Sequence, residues 1–564
     1  MNYPYMQIEI VAKGLILKIF PTMITASYKR KCIVSRAYLP VALCMVLYLG
    51  SVSFGGEGKP KVQTPSATSH TPPESIEMGS NLKFLSLSLK DGIVYALRNN
   101  FDIEISKLNS NVKDYEITVQ KAKYDPTMKL EGKIENDDIP INSKLVGGLE
   151  TSSISPFIEQ GKTADAVIQS MIPTGATVSL EYNIFRDYVD PNPFRLLNPA
   201  YENYVEAKIT QPLLKGAGWF YNRSLIYIAR NNKKISFAQF KSKALEISNA
   251  VQEAYWNLVK AIEDLKVANK SKERAEDLLR KNKIQVETGT LAPIEIIDAE
   301  AGVASRVEAI ISAENAVKDK EDELKKIMNF ADNEIISDAS VIPTDKPDFI
   351  PKKVELKGTL KVAMEKRPEL QALQLKTENA DMQSKRRKNE LYPALDFTAG
   401  MRYTGLGEDV EDVNDSTFSE EFQGEFFALA LEIPLGNRSA RSKYNKSKLK
   451  KQQANLNVKR KELDIVVEVR GSVRQVMTNI ERVNATRKAR ELAQKRLEVE
   501  GKKFSVGRST SLEILRAQED LATAEGNEAK AIIDYEISLG NLEKAKGTIL
   551  DSYDIKLEEE ETKT

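Results

Sequence analysis

Apolar residues recur at heptad spacing along two long stretches of the chain, and the two stretches match each other. Six positions in the first stretch advance in steps of three and four residues, and the same steps recur in the second stretch at one constant offset. The matched pairs are Ser248/Val466, Val251/Val469, Tyr255/Val473, Leu258/Val476, Ile262/Ile480 and Leu265/Val483. Such steps predict a long helix with one packed seam. The constant offset predicts that the chain contains this helix twice.

Each of these long helices is predicted to reverse at a glycine into a second helix. Residues 286–297 return as residues 504–515, which aligns Gly289 with Gly507. Glycine adopts positive φ without a steric cost, so it suits the end of a helix and a tight reversal. The first long helix is predicted from about Ser224 to Thr288, and the two return helices are predicted to end near Asn329 and Gly547.

Shorter segments alternate apolar and polar residues with period two, which predicts β-strands. These segments run over residues 128–134, 178–184, 205–209, 395–403 and 427–433. A helical pattern precedes each set, first from Leu85 to Pro126 and then at a second constant offset that aligns Pro126 with Pro393. A loop is predicted at residues 405–420, and residues 167–172 and 175–185 predict an additional hairpin in the first half. The pattern is typical of a transmembrane β-barrel, although a soluble sheet with one wet face gives it too.

The duplication and the ends of the chain predict six segments. They are a leader and signal peptide (1–53), a disordered linker (54–84), a first repeat (85–330), a connector (331–358), a second repeat (359–548) and an acidic tail (549–564). A basic group at residues 29–36 precedes an apolar core at 38–52, which predicts export and cleavage before Phe54. A membrane anchor is the alternative, but the apolar core is short and contains Pro40. Met23 is an alternative start.

Composition narrows the function further. Charged residues make up 29% of the chain and aromatic residues 7%, as expected for long helices with solvated outer faces. A net charge of +1 gives no basic surface for nucleic acid. Cys32, Cys44 and His70 are the only cysteines and histidine. They all precede the predicted repeats, so a Cys or His metal site, a cofactor and histidine-dependent catalysis are not expected.

The ordered set of elements, present twice, resembles the TolC-like family of outer-membrane efflux proteins. Its features are the export signal, the Gln211-Pro-Leu and Ile433-Pro-Leu junctions between strand and helix, and the paired glycine reversals. The resemblance covers residues 85–548 and implies an α+β membrane protein. In this family, three chains form an outer-membrane β-barrel that continues into a long periplasmic α-helical barrel. It also implies four strands per chain and leaves open whether the additional hairpin joins the barrel.

The resemblance implies a passive channel rather than an enzyme. Such a channel is the exit duct of a tripartite efflux pump or a type I secretion system. Its partners would be two further copies of the chain, outer-membrane lipid, a periplasmic adaptor and an inner-membrane RND or ABC transporter. The alternative function is a periplasmic coiled-coil scaffold without a pore, which would have the heptads but not the alternating strands.

The resemblance also assigns roles to residues at the two reversals. The adaptor-docking tips would comprise Gly289, Thr290, Leu291, Phe504, Gly507, Arg508 and Ser509, with Leu512 helping to pack the tip. The pore constriction would comprise Glu295, Asp298, Glu513 and Arg516, because an i, i+3 spacing places each pair on one helix face. Arg516 departs from the acidic residue that is common there. Ordinary solvated helix charges are the alternative for all four residues.

Overall fold

The computed structural model describes residues 84–140, 156–190, 195–330, 339–419 and 421–557. The predicted signal peptide, the linker up to residue 83 and the acidic residues 558–561 lie outside this part of the chain. The helices are α1 (Leu89–Asn99), α2 (Phe101–Lys121), α3 (Trp219–Glu287), α4 (Ile294–Met328), α5 (Leu356–Lys366), α6 (Pro368–Asn389), α7 (Val410–Phe418), α8 (Arg438–Ser505), α9 (Ser511–Lys546) and α10 (Ile549–Ser552). The strands are β1 (Phe84–Leu87), β2 (Thr127–Pro140), β3 (Pro156–Met171), β4 (Thr177–Asp190), β5 (Ala200–Pro212), β6 (Ser340–Pro343), β7 (Ala394–Gly407) and β8 (Gln423–Glu432).

Two long helical hairpins, α3–α4 and α8–α9, confirm the heptad prediction. Helix α3 has 69 residues, which corresponds to about 104 Å at 1.5 Å per residue. Four of the six predicted seam positions are buried in each copy and the other two are half-buried; Tyr255 in the first copy and Val469 and Val476 in the second are fully inaccessible. The return helices end at left-handed caps on Asn329 and Gly547, as the sequence predicted.

The two halves repeat an ion pair as well as a pattern of elements. Lys233 of α3 lies 2.8 Å from Asp114 of α2, and Lys451 of α8 lies 2.5 Å from Asp381 of α6. The two lysines are related by the offset that aligns Gly289 with Gly507, and the two aspartates by the offset that aligns Pro126 with Pro393. The α2–α3 contact of the first half and the α6–α8 contact of the second half are therefore equivalent.

The first predicted helix differs from the structure at its start and in its middle. Leu85 lies in strand β1, which pairs in parallel with β6 of the predicted connector. Asn100 then separates α1 from α2, because its backbone N–H caps the end of α1 and its side chain accepts from the Asp102 N–H to begin α2. The helical pattern of residues 85–126 therefore contains one strand and two helices.

The long strands form one antiparallel sheet in the order β2-β3-β4-β5-β7-β8. The additional hairpin predicted in the first half is β3–β4, and it lies within this sheet, between β2 and β5. The predicted loop at 405–420 is wrong, because α7 folds back onto the end of β7. A Cβ atom at Gly405 or Gly407 would collide with the backbone of α7, so glycine permits this close contact.

The helices lie side by side, with α8 at one edge of the layer and with α2 near the sheet and α4 near the reversals at the other edge. Near the sheet, neighbouring helices pack in the order α2-α3-α6-α8, and towards the reversals in the order α4-α3-α9-α8. A large apolar core joins α1, α3 and α4 to the β1–β6 pair. Ile549 and Leu550 of α10 are buried in it, so the predicted acidic tail does not begin at residue 549.

Within the described ranges, no helix combines the length and the apolar character needed to cross a bilayer.

Candidate functional site

The two glycine reversals have the backbone geometry that the sequence predicted. Gly289 and Gly507 have φ of 72° and 74°, and among the described residues no atom beyond the adjoining residues lies within 4 Å of where a Cβ atom would be. Their glycines therefore serve the turn itself rather than a close contact. Thr290 donates its backbone N–H to the Gln285 carbonyl (2.8 Å), and Arg508 donates its own to the Lys503 carbonyl (2.8 Å).

The residues predicted for adaptor docking differ in their exposure. Gly289, Thr290, Gly507 and Arg508 are exposed, whereas Leu291, Phe504 and Ser509 are half-buried. Phe504 packs against a small apolar cluster formed by Ala275, Leu278, Ile514 and Leu515. Leu512 is 46% exposed and does not pack within the single chain. The helical phase of α9 turns Ile514 and Leu515 inwards and Leu512 outwards.

Polar contacts join the two hairpins of one chain immediately beyond the reversals. The Glu295 carboxylate of α4 accepts a hydrogen bond from the Ser511 backbone N–H at the start of α9 (2.8 Å). Asn282 of α3 is fully buried, and its amide donates to the Ser511 hydroxyl (2.7 Å) and the Glu295 carbonyl (3.0 Å). A carboxylate at a helix N-terminus is stabilised by the free N–H groups and the helix dipole. Glu295 thus caps the N-terminus of α9 in the other hairpin.

The other three residues predicted for the pore constriction lie close by. Arg516 forms an ion pair with Glu513 on its own helix (2.9 Å), and both side chains are largely exposed. Asp298 lies one turn beyond Glu295 and is half-buried. Further up the hairpins, Arg274 of α3 holds Glu525 of α9 with two hydrogen bonds (2.8 and 3.1 Å). The structure therefore brings Glu295 and the start of α9 together, and Asn282 and Ser511 are the contacts that sequence reasoning missed.

At the other end of the helices, the sheet has one apolar and one polar face. Side chains on strands alternate between faces, and residues paired across strands share a face. One row across five strands contains Leu130, Ala166, Tyr182, Val205 and Tyr403. The next row along the same strands contains Lys129, Val167, Glu181, Glu206 and Arg402. On that polar face, Glu206 accepts from Arg402 (2.9 Å) and from Lys208 (3.1 Å).

Long helical hairpins joined to a sheet with one apolar face are the architecture of an outer-membrane channel. The Outer membrane efflux protein family matches residues 92–329 and 359–548, most of the chain and both repeats. The chain belongs to this family, which confirms the resemblance drawn from the sequence. It is an outer-membrane protein with a periplasmic helical extension, and its family consists of channel proteins rather than enzymes.

Solved outer-membrane channels share this fold at low sequence identity. The CmeC channel of Campylobacter jejuni is 15% identical with a TM-score of 0.57, and the match covers 82% of this chain and 86% of that one. VceC of Vibrio cholerae is 14% identical with a TM-score of 0.57 and coverages of 81% and 96%. MtrE of Neisseria gonorrhoeae, solved in an open state, is 16% identical with a TM-score of 0.55 and coverages of 82% and 89%. No curated protein matches the sequence.

The alternative of a periplasmic coiled-coil scaffold does not fit this chain. A scaffold would have the heptads without long alternating strands, whereas the structure has six strands in one sheet. The family match covers both halves that carry those strands.

Proposed function

We propose that three copies of this chain form a closed duct that carries solutes passively out of the cell. The sheets would close into an outer-membrane barrel and the helices into a periplasmic barrel. The reversals would meet a periplasmic adaptor, which connects the duct to an inner-membrane RND or ABC transporter of an efflux pump or a type I secretion system. The energy would come from that transporter, because the duct itself carries out no chemistry.

The observation that carries this proposal is that the sheet and the helical layer are open at the same two edges. Strand β2 and helix α2 form one edge, and strand β8 and helix α8 form the other. Both edge helices carry apolar side chains that remain exposed in a single chain: Phe101, Ile105, Leu108, Val112, Tyr115 and Val119 on α2, and Leu449, Leu456, Leu463 and Val467 on α8. Exposed stripes at heptad spacing favour packing against another helix.

The internal repeat indicates which residues would meet between copies. Within the chain, Ala238 of α3 and Leu375 of α6 belong to one apolar cluster. At the repeat offsets, Ala238 aligns with Leu456 of α8, and Leu375 aligns with Leu108 of α2. These two leucines are 63% and 55% exposed in the single chain. A joint between α8 of one copy and α2 of the next would cover them, as the α3–α6 joint buries Ala238 and half-buries Leu375.

A cysteine cross-link tests this joint directly. Cys32 and Cys44, the only native cysteines, are replaced by serine, and cysteines are introduced at Leu108 and Leu456. Oxidation of the membrane-inserted protein should give covalent dimers and trimers on a denaturing gel. The matched control, Ala238→Cys with Leu375→Cys, should form its disulfide within one chain and run as a monomer.

Two results would contradict the closed duct. One is a Leu108/Leu456 variant that stays monomeric under oxidation while the control pair forms its internal disulfide. The other is a native mass in detergent that corresponds to fewer than three chains. Single cysteine variants at either position show how much cross-linking arises from random collision.

Adaptor docking is tested at the exposed part of the reversals. A photo-reactive amino acid at Arg508 should form an adduct with a co-produced periplasmic adaptor. The same amino acid at Lys488, which is exposed on α8 away from the reversal, is the matched control. Equal adduct yields at the two positions would contradict adaptor docking at the reversals.

A further inference from the structure

The sheet of this chain contains a hairpin that has no counterpart in its own second half. Strand β2 begins at Thr127 and β7 begins at Ala394, each directly after one of the two aligned prolines, so these strands are equivalent in the repeat. In the second half, β7 and β8 are consecutive strands, separated only by α7, and they pair directly in the sheet. In the first half, β3 and β4 are inserted between β2 and β5, so the chain has six strands where the repeat alone would give four.

Hydrogen bonds tie the turn of this hairpin to the junction between the sheet and helix α3. Thr174 in the turn accepts from the Gly218 N–H through its carbonyl (3.0 Å), and its hydroxyl contacts the Gln211 side chain (3.0 Å). Asn222, which is buried, donates to the Gly216 and Gly218 carbonyls (2.8 and 3.1 Å) beside this turn. The hairpin is therefore held at the same level as the other strands.

Six strands also match the width of the helical layer beneath them. Four helices packed about 9 Å apart cover an arc of about 36 Å. Strands about 4.8 Å apart and tilted by about 40° each take about 6.3 Å of circumference, so six strands cover about 38 Å and four cover only about 25 Å. The added hairpin supplies the missing arc.

The inserted strands carry the same alternation of faces as the rest of the sheet. Ile168 and Leu180 are paired and lie on the apolar face, whereas Gln169 and Ser179 are paired and lie on the polar face. A strand pair that alternates in phase with its neighbours is suited to the wall of a barrel, with lipid on one side and water on the other.

We propose that all six strands of each chain enter the outer-membrane wall. Three copies then form an eighteen-stranded barrel with a water-filled lumen about as wide as the helical duct below it. Barrels of this size enclose an aqueous channel. This inference rests on the proposed assembly of three copies.

Single cysteines in the full chain test whether the hairpin is part of the wall. A small membrane-impermeant maleimide should label Gln169→Cys and Ser179→Cys. Bimane on Ile168→Cys and Leu180→Cys should instead be quenched by brominated lipid. Equal access from water to all four positions would place the hairpin outside the wall and overturn the proposal.

The width of the lumen is tested with maleimides attached to polyethylene glycol of graded size, added outside intact cells. Thr398→Cys is the target, because Thr398 lies on the polar face near the helical end of β7 and contacts Thr210 across the strands. A matched variant lacks residues 156–190 and so has four strands per chain. The largest reagent that reacts should have a radius about 1.5-fold greater in the full chain, since barrel diameter grows roughly linearly with strand number.

The outcomes separate this inference from the proposed function. If both proteins are trimeric and have the same size limit, the wide lumen is wrong while the duct remains. If the Leu108/Leu456 cross-link fails and no reagent labels Thr398→Cys, the duct itself is wrong. If the shortened variant does not fold, the alternating accessibility of β3 and β4 in the full chain decides the proposal.

Discussion

At the scale of single residues, the buried amide of Asn282 is the most specific contact near the reversals. It joins α3 to the start of α9 and to the Glu295 carbonyl. Removing one partner of a buried hydrogen bond leaves the other unsatisfied and typically costs about 1–3 kcal/mol.

Asn282→Ala should therefore loosen the two hairpins and raise the resting ion conductance of the reconstituted channel in planar bilayers. Asn269→Ala is the control, because Asn269 is exposed on the same helix and its amide bonds only to the carbonyl one turn earlier. An unchanged conductance in a trimeric Asn282→Ala channel would count against a role for this contact in holding the tip closed.

Arg516 supports a second prediction at this scale. Arg516→Glu replaces its ion pair with Glu513 by a repulsive pair, which three copies would multiply in a narrow ring. Resting conductance should rise. Arg490, further back on α8, is unsuitable as a control, because it pairs with the poorly exposed Glu528 (2.6 Å).

Lys488→Glu is the matched control, because Lys488 and Glu491 form an exposed i, i+3 pair on α8, away from the reversal. Equal conductance in the wild type and Arg516→Glu would leave the constriction hypothesis without support.

Glu536 in α9 supports a prediction about pH. Burial raises the pKa of its carboxyl above the ordinary value of 4.5, Asp348 raises it further, and Lys352 opposes them. Burial also raises the pKa of the nearby Tyr553 hydroxyl to about 12, with Glu536 and Asp345 contributing. A group with a raised pKa binds its proton more tightly in the folded state. Its stabilising effect is therefore present below pH 4.5 and is lost as pH rises through the folded pKa.

Glu536→Gln should therefore raise the melting temperature at neutral pH and flatten its fall between pH 4.5 and neutrality. Thermal unfolding followed by circular dichroism across this range measures both effects. A variant with the same pH profile as the wild type would show that this carboxyl is not the group responsible.

At the scale of elements, substitutions in the buried seam of a helix and on its exposed stripe are expected to have different effects. Val469 is fully buried against α9 within one chain, so Val469→Asp buries an unpaired charge and should cost about 4 kcal/mol or more. The chain should lose its fold. Leu108→Asp lies on an exposed stripe and should leave the helical content intact while abolishing the trimer.

Circular dichroism and sedimentation in detergent distinguish the two failures. The same assembly defect in both variants, with the same helical signal, would show that Val469 does not stabilise the single chain.

The elements also show what sequence reasoning can reach. Period and offset predicted the long helices, their reversals and the six strands of the long sheet, because burial repeats along each of these segments. They did not predict α7, whose nine residues are too few to establish a period and whose position depends on Gly405 and Gly407 in another element. They also missed strand β1, which is very short and exists through pairing with β6, a strand that follows the whole first repeat in sequence. Contacts between distant segments leave little trace in a local pattern.

At the tips, sequence located the reversals but did not assign the contacts. It placed Glu295 on a helix face, and the structure shows that its carboxylate caps α9 of the other hairpin. The direction of a charged side chain depends on which helix lies beside it. That neighbour is determined by tertiary packing, so no spacing rule along one helix could have supplied it.

At the scale of the whole molecule, the proposed ring contains two kinds of joint between repeats. One joins α3 and α6 within a chain, and the other would join α8 and α2 of successive copies. The internal joint includes a hydrogen bond between the Asn231 and Asn379 side chains (3.0 Å). At the equivalent positions of the outer joint, the repeat offsets place Leu449 and Val112, which are both exposed in the single chain.

This difference follows from how the two joints form. Helices α3 and α6 belong to one chain, so their effective concentration is high before they meet, and a polar contact that adds specificity rather than affinity is sufficient. Successive copies of the proposed ring would have to meet by diffusion, and burial of the exposed apolar side chains would supply free energy for that step. In such a ring, the polar contact within the chain would favour correct pairing of the repeats, and the apolar contact between copies would provide affinity.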